Sequence, residues 1–221
     1  MIDGKPVLAP CSPLQQRFIS VEADIIVYGG AAGSAKTYGG ILRHLKYVHD
    51  PNYVGYIVRR NEKVMRDAGA TFDEACQMAK IICPRGLKIT TKPMLITFPS
   101  GAKLMFVGYE DDKAKDKFQG KQISAVMYDE GTHAKEEHIW WLFSRLRSEA
   151  KMNGALWITC NPDPDSYLFN WIEWYLYPKG HELEGRPDPE KNGKIRYFVY
   201  LGNTVRWGDT AQELIDKWSG H

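Results

Sequence analysis

The sequence predicts an α/β domain with a central, mostly parallel sheet flanked by helices and an inserted β-hairpin, and three observations carry that expectation. Short apolar runs rich in β-branched residues, at 25–28, 53–58, 123–128 and 155–159, alternate with stretches of helical spacing, the pattern of βα units around a buried sheet. The first run ends at Gly29-Gly30 and passes at once into a helical pattern, as a buried parallel strand feeding a helix does. Residues 87–108 break the alternation, because two apolar runs flank the turn-prone Pro99-Ser100-Gly101 and read as antiparallel strands.

In chain order, the strand at 25–28 is followed by a glycine-rich turn and a helix from Lys36 to about Val48, on which Ile41, Leu42 and Leu45 recur and which Pro51 ends. A strand at 53–58 and helical content over 63–82, stopped by Pro84, continue the βα order. After the hairpin, the run 123–128 reaches Asp129-Glu130, and a helix follows with Ile139, Leu142, Phe143 and Leu146 on one face. The strand at 155–159 stops at Asn161-Pro162-Asp163-Pro164, where two prolines forbid continuation. Residues 167–177 are aromatic and helical in pattern, 178–194 form a polar Gly- and Pro-rich loop, and 195–201 and 210–218 read as one strand and one helix.

Size and composition exclude several classes. At 221 residues, 43% hydrophobic and 25% charged, the chain suits one sizeable core and neither disorder nor a disulfide-stapled miniature. No run approaches the roughly 18 apolar residues that cross a bilayer, and the first residues lack a basic stretch followed by an apolar one, so no membrane role is expected. Cys11, Cys76, Cys83 and Cys160 lie far apart without zinc-type spacing and are expected to be reduced thiols. The net charge of +2 neither demands nor excludes a polyanionic partner.

Chemistry enters at Gly30-Ala31-Ala32-Gly33-Ser34-Ala35-Lys36-Thr37. This is the phosphate-loop spacing of glycine, four residues, glycine, lysine and Ser/Thr, with Ala35 in the place of the second glycine. Successive backbone N–H groups and a helix N-terminus can wrap phosphates, the Lys36 ammonium can neutralise β and γ oxygens, and the Thr37 hydroxyl can ligate Mg²⁺. Ala35 matters only if its position requires positive φ, at about 1–2 kcal/mol for alanine. The second element is Asp129-Glu130 at the carboxyl end of an apolar strand, where open α/β sheets bind ligands. Asp129 would hold the Mg²⁺ shell and Glu130 would orient and polarise the attacking water. Together the two elements predict a P-loop NTPase of the ASCE, RecA-like kind that binds ATP and Mg²⁺ and hydrolyses ATP.

The same residues resemble the ATPase domain of phage large terminase subunits, the motors that package DNA into capsids. The likeness runs over most of the chain: Pro13-Leu14-Gln15-Gln16-Arg17-Phe18, the glycine-rich loop, Tyr56-Ile57-Val58-Arg59-Arg60, Phe118-Gln119-Gly120, Asp129-Glu130, Ser144-Arg145-Leu146-Arg147 and Thr159-Cys160-Asn161-Pro162. It implies that Gln15 or Gln16 contacts the adenine edge and that Thr159 and Asn161 form a coupling motif that senses the γ-phosphate. It also implies that one arginine among Arg59, Arg60, Arg145 and Arg147 stabilises the transferred phosphoryl group. The implied partners are double-stranded DNA, a portal protein, a small terminase subunit and further copies in a ring on the capsid, with the isolated domain monomeric. The implied location is the cytoplasm of an infected bacterium. On this resemblance the ATPase domain takes 1–200, and 201–221 begin a link toward a nuclease domain for which this chain has no room, so DNA cleavage is not expected.

Two basic clusters are candidates for DNA phosphates: Lys113, Lys115, Lys117 and Lys121 around Phe118-Gln119-Gly120, and Arg59, Arg60, Lys63 and Arg66. Asp111, Asp112 and Asp116 offset the first, which makes a solvated face the simpler reading for any single lysine. Three other functions share parts of the pattern. A helicase or recombinase-like ATPase would lack the context of 118–120 and 159–161, a small-molecule kinase would need an acceptor and a lid, and a non-catalytic nucleotide-binding module would explain Ala35 as decay.

Overall fold

A computed structural model describes residues 7–31, 33–202 and 204–219. The chain divides into two compact units, residues 1–170 and 171–221. The first contains α1 (Pro13–Ser20), β1 (Ile25–Gly29), α2 (Lys36–Leu45), β2 (Val54–Arg59), α3 (Thr71–Ile82), β3 (Lys88–Thr91), β4 (Met94–Thr97), β5 (Lys103–Gly108), β6 (Ala125–Tyr128), α4 (Glu136–Ser144) and β7 (Ala155–Cys160). A further helix, α5 (Tyr167–Ile172), runs across the division.

The sheet runs β1-β7-β6-β2-β5-β4-β3. The first five strands pair in parallel and β4 and β3 add antiparallel to the edge. Every residue of β6 and β7 is buried, as expected of central strands covered on both faces. Two expectations are refined here. The arm of the hairpin at 103–108 is a central strand, because β5 also pairs in parallel with β2, so the insertion is β3–β4 alone. The single helix expected over 63–82 is a short 3-10 turn, Lys63–Arg66, and then α3 from Thr71; between them Gly69 takes φ +74°.

α2 lies close on β6. A Cβ at Gly40 would come within 1.8 Å of Met127 Sδ, so any other residue there would have to displace the buried Met127, and this approach holds the first turn of α2 beside the end of β6. Arg43, on the same helix, is buried; its guanidinium donates to the carbonyls of Phe18 and Val21 at the end of α1 and lies 4.6 Å from the Trp157 ring centroid. α1 and α2 are thereby tied through the unpaired carbonyls of a helix terminus.

In the second unit β8 (Tyr197–Leu201) pairs antiparallel with β9 (Thr204–Gly208), a strand not anticipated in the sequence, and α6 (Ala211–Trp218) packs on the pair. The Thr210 hydroxyl caps α6 by accepting from Glu213 N–H. No helix among the described residues is long and apolar enough to cross a membrane.

Candidate active site

The strand order explains what meets what. β7 stands between β1, which leads into the glycine-rich loop, and β6, which ends at Asp129, so its tip faces both. Register puts Gly29 opposite Cys160 and Tyr128 opposite Ile158, and Gly30 N–H donates to the Cys160 carbonyl at 3.2 Å. All three strand ends therefore open at one level, the carboxyl edge of the sheet where such folds bind ligands.

In the loop, the Lys36 ammonium is held by four oxygens. It donates to the carbonyls of Gly30 and Ala31 at 2.9 and 2.8 Å, to Ser34 Oγ at 3.1 Å and to Asn161 Oδ1 at 2.9 Å. Ala35 takes φ 51°, ψ 36°, so its position does demand the left-handed conformation, and the alanine bears the strain that a glycine would avoid. Its carbonyl accepts from Gln15 Nε2 at 2.9 Å, while Gln15 Oε1 accepts from Cys11 N–H at 2.7 Å. Gln15 is buried against the loop and Gln16 is exposed. Ala32 lies outside the described residues.

Thr37 Oγ1, on the first turn of α2, donates to Asp129 at 3.2 and 3.1 Å from its two carboxylate oxygens, and Thr159 Oγ1 donates to Asp129 Oδ1 as well. Asp129 is buried, with its side chain 3% exposed, and its counter-charge is Arg59, whose Nε donates to Oδ2 at 2.9 Å. The same guanidinium spans to the next acid, Nη2 to Glu130 Oε1 at 2.9 Å. Glu130 is half exposed and also takes positive φ, 61°; a strained non-glycine residue of this kind persists where the surroundings fix it. Two hydroxyls and one arginine satisfy the buried carboxylate, so the burial is not left uncompensated.

The structure thus gathers Gly30, Ala31, Gly33, Ser34, Ala35, Lys36, Thr37, Asp129, Glu130, Thr159, Asn161 and Arg59, with Gln15 behind the loop. It does not bring the other three arginines there. Arg60 lines a separate cleft with Glu62, Glu110, Asp111, Lys113 and Lys117. Arg147 is bridged by backbone hydrogen bonds to Ile123, at 2.9 and 3.0 Å, at the start of the β6 run. Asp129 lies six residues further along that extended run, about 20 Å at 3.3 Å per residue, beyond the reach of one arginine side chain. Arg145 caps the end of α4, lines the same cleft as Arg147 and lies over the Trp141 ring at 5.4 Å.

One residue near the site carries no motif. Glu74, in the first turn of α3, has its carboxyl raised by burial and further by the Asp129 charge. Only the folding back of α3 places it there, so no sequence spacing signals it. Cys160, beside the loop, is raised by burial against the opposing pull of Lys36, which keeps it a thiol.

Thr37 and Asp129 fit Mg²⁺ by the chemistry of their donors. The ion takes oxygen ligands, usually one or two carboxylates with substrate phosphates and waters, and a hydroxyl within 3.2 Å of a carboxylate supplies the protein share. No larger His/Cys/Asp/Glu cage exists among the described residues.

Comparison with known proteins returns the same fold. A model of the family described as "Terminase large subunit, T4likevirus-type, N-terminal" matches residues 27–216. Among solved structures, the large terminase of a thermophilic bacteriophage aligns with TM-score 0.56 and 20% identity, covering 74% of this chain and 41% of that one. The same protein in complex with ATP-gamma-S aligns with TM-score 0.52 and 18% identity, covering 69% and 38%. The HK97 bacteriophage large terminase aligns with TM-score 0.55 and 16% identity, covering 77% and 40%. The chain therefore spans about two fifths of the length of these relatives. No curated protein matches it.

Proposed function

The chain belongs to the family of terminase large subunits, T4likevirus-type, N-terminal, and on that premise we propose that it is the ATPase motor domain of a viral large terminase. In this reading it hydrolyses ATP to ADP and phosphate to drive double-stranded DNA into a procapsid. The observation that carries the reading is the convergence of Lys36 and Thr37 with Asp129 and Glu130 at one edge of the sheet, with Thr159 and Asn161 between them.

Each group has a task its position suits. Lys36 leaves the loop carbonyls for phosphate oxygens, and because one of its present partners is Asn161, phosphate binding changes what the tip of β7 touches. Thr37 and Asp129 would hold Mg²⁺, which would supply positive charge to offset that of the phosphates. Glu130 accepts a proton from the attacking water once its Oε1 is free of Arg59. Arg59 is the one candidate arginine positioned to act on a phosphoryl group in the same chain. Arg147, beside the start of the β6 run, and Arg145, in the same cleft, do not meet the nucleotide of their own chain, and Arg60 lines a cleft with Glu62, Glu110 and Asp111. Gln15 supports the adenine side of the site through its hold on Ala35; the exposed Gln16 is the weaker choice.

Double-stranded DNA, a portal protein, a small terminase subunit and a ring of copies, acting in the cytoplasm of an infected bacterium, complete the proposal by family membership, with residues 201–221 as the start of a link. The test is Glu130→Gln: the variant should bind ATP as the parent does and hydrolyse it about 10²–10⁴-fold more slowly. Unchanged turnover would refute the assignment of the base. A strand-unwinding assay separates the motor from the helicase-like alternative.

A further inference from the structure

At the end of the sheet opposite the nucleotide site, a cleft is lined by Phe118, Gly120, Lys121, Gln122, Arg145 and Arg147. Three of its six lining residues are cationic and none is acidic. Some nearby cations have acidic partners: Lys115 pairs with Asp112 at 2.8 Å, while Lys117 and Arg66 share Glu62 at 3.0 and 2.7 Å. Lys121, Arg145 and Arg147 make no ion pair among the described residues, and the adjacent Glu149 is engaged by the Gln122 amide at 2.6 Å.

The frame around these cations is fixed. Phe118 is buried among aromatic rings, 5.2 Å from Tyr56, 5.8 Å from Tyr109 and 6.0 Å from Trp141. Gly120 turns the chain with φ +66°, which puts Lys121 at the mouth beside Arg147, whose backbone is bonded to Ile123. The Arg145 guanidinium lies over Trp141. Unpaired like charges are brought together at a cost in self-repulsion, and a polyanion removes that cost while releasing its own counterions.

We infer that this cleft holds phosphates of the double-stranded DNA backbone. The inference rests on the DNA-motor reading above and names the surface that reading lacks. The cleft is open to solvent, and its cations extend from the 120–122 turn to the end of α4, which suits a passing strand of phosphates. Phe118 is buried and not free to stack on a base, and the cations of the lining are assigned to backbone phosphates, a contact that positions DNA without reading its sequence. DNA and ATP then lie toward opposite ends of the extended run from Ile123 to Asp129, whose length is about 20 Å.

The experiment is binding of a fluorescent DNA duplex of arbitrary sequence by anisotropy across a salt series. Each lost phosphate contact lowers the slope of log K against log salt by about 0.9, so Lys121→Ala/Arg145→Ala/Arg147→Ala should flatten it by about 3 and weaken binding at low salt. The variant Arg145→Lys/Arg147→Lys, which keeps both charges, should retain the parent slope, and circular dichroism reports whether each variant folds. A triple variant with the parent slope and affinity overturns the inference. Equal DNA binding with lost ATP turnover only in the assembled ring also overturns it, and assigns the cleft to a neighbour's nucleotide. A parent chain that binds no duplex even at low salt, while still hydrolysing ATP, removes the DNA reading on which the inference stands.

Discussion

The two ends of the central sheet treat charge in opposite ways. At the carboxyl end Lys36, Arg59 and Asp129 all have internal partners, and Ala35 and Glu130 sit in left-handed backbone conformations. At the amino end Lys121, Arg145 and Arg147 line an open cleft and make no ion pair among the described residues. The difference teaches which groups are set for an exchange of partners and which for an external one. A network whose bonds close on themselves can hold a loop ready and release it when a phosphate competes for Lys36. A cluster that does not close is waiting for charge from outside.

The comparison breaks most easily at Arg59. Arg59→Ala leaves Asp129 buried with two hydroxyl donors and no cation, which should lower stability by about 3 kcal/mol in urea denaturation. A loss under about 1 kcal/mol would mean that the pair is loosely held and that the closed network is not a unit. Next in size, Ala35→Gly should gain about 0.5–1 kcal/mol: relief of the left-handed alanine exceeds the entropy added to the unfolded chain. Destabilisation there would show that the loop does not hold the conformation described. Smallest, Arg147→Ala at the open end should move stability by no more than about 0.5 kcal/mol, since its exposed side chain makes no ion pair among the described residues; a large loss would mean that the open end is closed too.

Much of this was legible in the residues, for physical reasons that also mark the limits. β1, β2, β6 and β7 are short continuous apolar runs because they are central, and the loop and the two acids are read from local spacing. What failed to show is non-local or conformational. The parallel pairing of β5 with β2 joins segments separated by α3 and the β3–β4 hairpin, so the Pro99-Ser100-Gly101 turn alone suggests a simple hairpin. β9 alternates polar Thr204 and Arg206 with apolar Val205 and Trp207, but over only five residues, too short a run to stand out, and it forms through its pairing with β8 and the packing of α6. Four arginines looked equivalent as motif members; the sheet order separates them, placing Arg59 at the end of β2 beside Asp129 and Arg147 beside the start of the β6 run. Which of Gln15 and Gln16 meets the loop depends on the face of α1 that the loop covers, and that face carries Gln15.

The most direct test is a structure of the chain with a non-hydrolysable ATP analogue and Mg²⁺. It should show the Lys36 ammonium moved from the carbonyls of Gly30 and Ala31 onto β and γ oxygens, the ion on Thr37 and Asp129, and Glu130 facing the γ-phosphate. A triphosphate bound elsewhere, with Lys36 still on its loop carbonyls and Arg59 still bridging both acids, would contradict the account.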